Sequence, residues 1–167
     1  LEARIGRVIP DPPQPHVEMA SRDTIRHFAW GMGDDNPLWL DAAHAARGPH
    51  GTILGPPCML YAMDRIVSGY VGGLPGVHAL FAGTDWRWHK AIREGMRIRA
   101  RAQLKSLELK ESRFSRRAVK QTYLVEFLDE TGALVADADS WCFRTERHTA
   151  RSVQKYGDVK PATAYSK

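Results

Sequence analysis

The densest run of reactive side chains is Gly33-Asp34-Asp35-Asn36-Pro37-Leu38-Trp39-Leu40-Asp41, which packs three carboxylates and an amide into one short segment. A carboxylate held on a rigid turn suits a general base that must reach a proton on a substrate. The same residue types also make turns and caps, because Asn and Asp accept hydrogen bonds from nearby backbone. On residue types alone, capping explains Asp35, Asn36 and Asp41 as well as catalysis does. Of the seven histidines, His50 lies in the Gly48–Pro57 loop ahead of an apolar segment. His44 and His89 are the other two near functional segments. No two histidines stand four apart beside a carboxylate, and Cys58 and Cys142 are the only cysteines, so no metal site is expected.

The elements that must position these groups follow from pattern. Ser21 is a good N-cap, and Ile25, Phe28, Ala29 and Met32 recur at helical spacing until Gly33. Asp41 can cap a short helix over 42–46. Pro57 fits the first helical residue of the most apolar segment, Cys58 to about Tyr70, whose face carries Leu60, Met63, Ile66, Val67 and Tyr70. Gly72-Gly73 and Pro75-Gly76 end it. The runs 77–88, 96–107, 119–128 and 133–143 alternate or are rich in β-branched and aromatic residues, with Asp129-Glu130-Thr131-Gly132 as a hairpin turn. Helices followed by an antiparallel meander predict an α+β domain whose sheet wraps one long central helix. That helix covers one sheet face, leaving Trp86 and Trp88 partly uncovered on the other, so a dimer or larger is expected.

Length and charge narrow the classes. The 167 residues suit one domain with a core of its own. Residues 1–16 are a proline-rich extended arm, 17–152 the folded domain and 153–167 a tail. No apolar run approaches a membrane span and no charged-then-apolar leader opens the chain, so a cytoplasmic location is expected. The net charge of +5 is uneven: residues 85–120 carry 12 basic and 4 acidic side chains, and the rest is slightly acidic. Such an excess attracts phosphate. Trp86 and Trp88 beside it could stack bases, but no nucleic-acid motif accompanies them, and no nucleic-acid partner is expected.

The stretch FAWGMGDDNPLWLDAAHA resembles the hydratase-2 signature of the MaoC-like acyl dehydratases, where G-D-x-N-P-L-H-x-D recurs after F-A. FAGTDWRWHKAIREGMRI and the closing WCFRTER are similar to the N-terminal half of that superfamily, including its fungal fatty-acid-synthase-like dehydratase branch. The resemblance spans about residues 17–152. It implies a hotdog fold and (R)-specific hydration of trans-2-enoyl thioesters, or the reverse dehydration. Coenzyme A thioester would be the substrate, with no cofactor. The family's catalytic Asp falls on Asp34, its Asn-Pro on Asn36 and Pro37, and its last Asp on Asp41. The family's His falls on Trp39, whose indole has one donor and no acceptor.

The resemblance therefore implies a candidate catalytic set of Asp34, Asn36 and His50, with His50 standing in for the lost imidazole. Trp39, Gly55 and Cys58 are the expected substrate-pocket residues. Arg93, Arg97, Arg116 and Arg117 are expected to meet the phosphates of coenzyme A. Heteromeric members pair a chain lacking the His with one carrying the full Asp/His dyad, so the expected role is the substrate-shaping half for a bulky acyl-CoA. The expected partner is a dyad-bearing hotdog subunit, with a homodimer as the other possibility. The alternatives are a stand-alone hydratase, a non-catalytic acyl-CoA binder, and a hotdog thioesterase using Asp64. Asp64 is otherwise expected in a surface ion pair beside Arg65.

Overall fold

Ser21 opens the first helix as its type predicts: its Oγ accepts from the Thr24 backbone N–H at 3.2 Å. In the computed structural model, which describes residues 2–9, 15–64, 76–112 and 115–147, helix α1 runs Arg22–Gly31 and buries Ile25 and Ala29. Gly33 then takes a φ of 69°, a left-handed turn that glycine adopts without strain. Asn36 caps a one-turn helix, α2 (Pro37–Leu40), by accepting from Leu38 N–H at 3.0 Å. Asp41 caps α3 (Ala42–Ala46) through Ala43 and His44 N–H groups at 2.9 and 3.0 Å. The chain continues into a two-residue strand, β1 (Leu54–Gly55), a 3-10 turn (Pro57–Met59) and α4 (Leu60–Met63).

Helix α4 is shorter than its apolar spacing predicts. It ends at Met63, and Asp64 is extended with φ −148° and ψ 142°. The Met63 carbonyl, which a continuing helix would use internally, accepts instead from His16 and Val17 N–H at 3.1 and 3.4 Å. The expected continuation through Ile66, Val67 and Tyr70, with Gly72, Gly73 and Pro75 after it, lies outside the described residues, as do Pro10–Gln14 and the tail. The short segment still fills the centre of the core: Met59, Leu60 and Met63 are at most 1% exposed.

The remaining elements are β2 (Val77–Trp88), β3 (Ile92–Arg93), β4 (Ile98–Ser112), β5 (Arg116–Asp129) and β6 (Leu134–Glu146). They form an antiparallel sheet of order β2-β6-β5-β4, with β3 paired separately to β1. The predicted meander therefore holds from β4 to β6, while β2 pairs with β6 and not with β4. The intervening residues are diverted into β3, whose pairing with β1 carries the chain away from the sheet. Strand β4 alternates as one-sided burial requires, with Ile98, Ala100, Ala102 and Leu104 buried and Arg99 and Arg101 exposed. Along its edge lies the N-terminal arm: Gly6 and Ile9 N–H donate to the Leu104 and Ala102 carbonyls at 2.8 and 2.7 Å.

Val125, Phe127, Val135 and Ala138 from β5 and β6 meet Ile25 and α4 in one core. Trp86 corrects the expectation that it lies on the uncovered face. It packs on the core, its ring 5.5 Å from that of Phe127, and its indole N–H donates to the Tyr61 hydroxyl of α4 at 2.9 Å. Residue alternation could not choose the face, because a tryptophan pair at i,i+2 satisfies either side. The architecture is a hotdog domain, an antiparallel sheet closing on a short central helix.

Candidate functional site

Asp34 sits at the hinge between α1 and α2. Its backbone N–H bonds the Ala29 carbonyl at 2.9 Å, closing the end of α1 and fixing where the carboxylate points. Both carboxylate oxygens are used within the turn. Oδ1 accepts from Asn36 N–H at 3.1 Å, and Oδ2 accepts from the Trp39 indole N–H at 2.9 Å. Trp39 reaches Asp34 because Pro37 starts α2 one residue after Asn36, returning the indole over the turn. It is half-buried and packs against the core. Asp34 and Trp39 are thus joined through an indole N–H, a donor with no acceptor and no accessible change of protonation. Among the described residues, no histidine is hydrogen-bonded to Asp34.

His50 and Gly55 come together at a second place. They line an open cleft of about 330 Å³ with Leu54, Trp88, His89 and Ile92. Gly55 is required there by close packing, since a Cβ would fall 2.9 Å from Ile92 Cγ2 and 3.2 Å from Met59 Sδ. Arg93 follows on β3 and places Nη2 3.5 Å from His50 Nδ1. Asp34, Trp39 and Cys58 do not line this cleft, although α2 packs against β1, which forms one wall. Cys58 is exposed and unpaired.

The candidate phosphate-binding arginines do not form one cluster. Arg93 borders the cleft, and Arg97 is paired with Glu18 at 3.5 Å. Arg116 and Arg117 start β5 opposite Ser112 and Glu111, at the far end of β4 from Arg97. At about 3.3 Å per residue that separation is roughly 45 Å along the strand. Asp64 is 5% exposed, so it does not lie at the surface as expected, and Arg65 falls outside the described residues.

Two polar pairings escaped the sequence reading, which had singled out His89 but not its partner. His89 Nε2 lies 2.7 Å from Asp137 Oδ1, and Arg87 pairs with the same carboxylate. Burial pushes the Asp137 carboxyl up, but Arg87 and His89 outweigh it and hold it below the ordinary range. On β5 and β6, Arg144 donates from Nε to Gln121 Oε1 at 2.8 Å, next to the buried Tyr123. Burial pushes the Tyr123 phenol up to about 12 against the opposing hydrogen bond from Arg144. The available signal was polar residues at core-facing positions of an alternating strand. Among the described residues no cluster of metal-ligating side chains occurs, and no helix is long and apolar enough to cross a membrane.

Known proteins of related sequence and shape agree with this outline. Residues 3–138 match the family model described as FAS1-like, dehydratase domain region. A probable enoyl-CoA hydratase alpha subunit of Thermomonospora curvata is 26% identical over 195 aligned positions, covering all of this chain and 58% of the relative. The chain thus spans little more than half the length of that relative. The MaoC-like dehydratase from Rhodospirillum rubrum is similar in fold, with a TM-score of 0.62 at 20% identity over 86% of this chain and 93% of that one. So is a chain of the HadBC (3R-hydroxyacyl-ACP dehydratase) complex from Mycobacterium tuberculosis, with a TM-score of 0.66 at 17% identity over 84% and 96% of the two chains. The motif at Asp34, the hotdog sheet and a family match over most of the chain converge: this protein belongs to the FAS1-like dehydratase domain region family, within the MaoC-like hotdog superfamily.

Proposed function

We propose that this chain is a subunit of an (R)-specific 2-enoyl-thioester hydratase/dehydratase, and that it is the half that shapes the acyl pocket while a partner hotdog subunit supplies the Asp/His dyad. The observation that carries this reading is the Trp39–Asp34 hydrogen bond at 2.9 Å. Hydration needs a group that removes a proton from water and a proton delivered to the α-carbon. The Trp39 indole can do neither, and its N–H occupies the carboxylate oxygen that an imidazole would face. The alpha-subunit description of the Thermomonospora relative and the heteromeric HadBC neighbour support a paired assembly. In this reading the thioester is a coenzyme A ester, the cleft at His50 and Gly55 receives part of the substrate, and Arg93 is the nearest cation for its phosphates. Asn36 keeps the turn closed through its bond to Leu38 N–H.

The deciding measurement is loss of enoyl-thioester absorbance over short-, long- and ring-bearing acyl groups. The chain alone is expected to be inert, and mixing with a dyad-bearing hotdog subunit is expected to give turnover. Turnover by the chain alone that Asp34→Asn abolishes would overturn the reading in favour of a complete enzyme. Buried Asp64 at the end of α4 keeps one other reading in play, a hotdog thioesterase, which would release free thiol.

A further inference from the structure

The β4–β5 hairpin end of the sheet holds a pocket of about 290 Å³, distant from the Asp34 turn and from the His50 cleft. Its lining includes Ser115, Arg116, Arg117, Arg144 and Glu146, so three arginines and one glutamate border it. Arg144 is 8% exposed, and its Nε donates to the Gln121 amide oxygen at 2.8 Å. That partner is neutral. It satisfies a donor but leaves the charge uncompensated, and a buried cation is costly unless an anion meets it. Among the described residues, no ion pair holds Arg116, Arg117 or Arg144, although eight other arginine or lysine side chains do pair with carboxylates. The register explains the convergence: Val119 stands opposite Arg144 on β6 and Leu109 on β4, while Arg117 lies two residues before Val119 on the same face.

We propose that this pocket is an anion site for a phosphate monoester, with Arg144 as its fixed floor and Arg116 and Arg117 closing over the ligand from the start of β5. Guanidinium forks match phosphate oxygens in pairs, and a phosphate dianion balances the excess that Glu146 leaves. The volume admits a phosphate and the sugar or short chain it esterifies, but not a whole nucleotide thioester. The site is independent of the acyl chemistry above, because the length of β4 keeps it from any substrate seated in the His50 cleft of the same chain.

The test is calorimetric titration of the full chain with inorganic phosphate, coenzyme A and 3′-dephospho-coenzyme A, in chloride at matched ionic strength. Inorganic phosphate is expected to bind, and Arg116→Gln and Arg117→Gln, both at exposed positions, are each expected to weaken it roughly tenfold. Arg99→Gln, at an exposed position of β4 outside both sites, is expected to leave it unchanged. Binding of coenzyme A but not the dephospho form through the same two arginines would support the site and identify a nucleotide 3′-phosphate as the source. Binding of inorganic phosphate alone would support it as a site for small phosphates. Absence of phosphate binding, or binding that neither substitution weakens, would overturn the proposal. Arg144→Gln is read only alongside a folding control, since its guanidinium also holds Gln121.

Discussion

At the residue scale, one substitution changes what the motif turn can do. With His at position 39, Asp34 would face an imidazole that takes up and gives back a proton. With Trp39 it faces a donor fixed in one state, and the same contact becomes a structural hydrogen bond. Trp39→Phe keeps an aromatic ring against the core but removes the donor together with part of the indole's packing surface. It is expected to lower stability by about 1–2 kcal/mol, the range for a hydrogen bond to a charged group in a partly solvated turn. Urea midpoints of wild type, Trp39→Phe, Asp34→Asn and the double variant check this. The double variant should lose clearly less than the sum of the single losses, because both remove one bond. Additive losses would mean that the turn does not depend on the contact.

At the scale of elements, the turns are held by short polar devices whose failure has a direction. Asp129 accepts from Thr131 N–H, Thr131 Oγ1 and Ala133 N–H in the β5–β6 hairpin, and Lys90 Nζ lies 2.8 Å from its other oxygen. The Lys90 and Thr131 side chains, then the backbone donors, hold its carboxyl well below the ordinary range. Protons therefore bind the unfolded chain more readily than the folded one. The contribution is complete above the unfolded value of 3.8 and is lost as pH falls below it. Thermal midpoints between about pH 6 and pH 2 should fall more steeply for wild type than for Asp129→Asn. Equal slopes would remove Asp129 from the account of acid sensitivity. Where β1 meets the 3-10 turn, Gly55→Val would drive a branched side chain into Ile92 and Met59, and is expected to cost about 1–3 kcal/mol in chemical denaturation. A midpoint unchanged by Gly55→Val would mean that β1 moves away from β3 at little cost.

At the scale of the whole molecule, β2 is the sheet edge with no strand beside it among the described residues, and it exposes Leu80 and Phe81 at 46% and 48%. An exposed apolar edge strand invites pairing with another chain. In the proposed assembly this is where a second hotdog subunit adds, so the paired variant Leu80→Glu, Phe81→Glu is expected to stay folded and elute at monomer mass. Circular dichroism and light scattering read the two properties separately. A wild type that is already monomeric alone and with a dyad-bearing partner would sink the edge-pairing expectation.

The sequence by itself determined the local elements and the family. Ser21, Asn36, Asp41 and the Asp129–Gly132 turn act through bonds to residues two to four positions away, so their types and spacing suffice. The alternation of β4 reports one-sided burial for the same reason. The departure from the family motif at Trp39 is likewise a fact of sequence. Only the tertiary structure decided that Trp39 bonds Asp34, that the Met63 carbonyl is captured by His16 and Val17, that Trp86 packs against Phe127, and that β2 pairs with β6. It also decided that the basic stretch is no single patch: β4 carries Arg97 and Arg116 to opposite ends of the sheet, while Arg144, from another strand, joins Arg116 and Arg117. Those outcomes depend on which strands pair and in what register, and on which backbone groups compete for one carbonyl. Such long-range choices are made by the packing of the whole chain, and leave no local trace in the residues that take part.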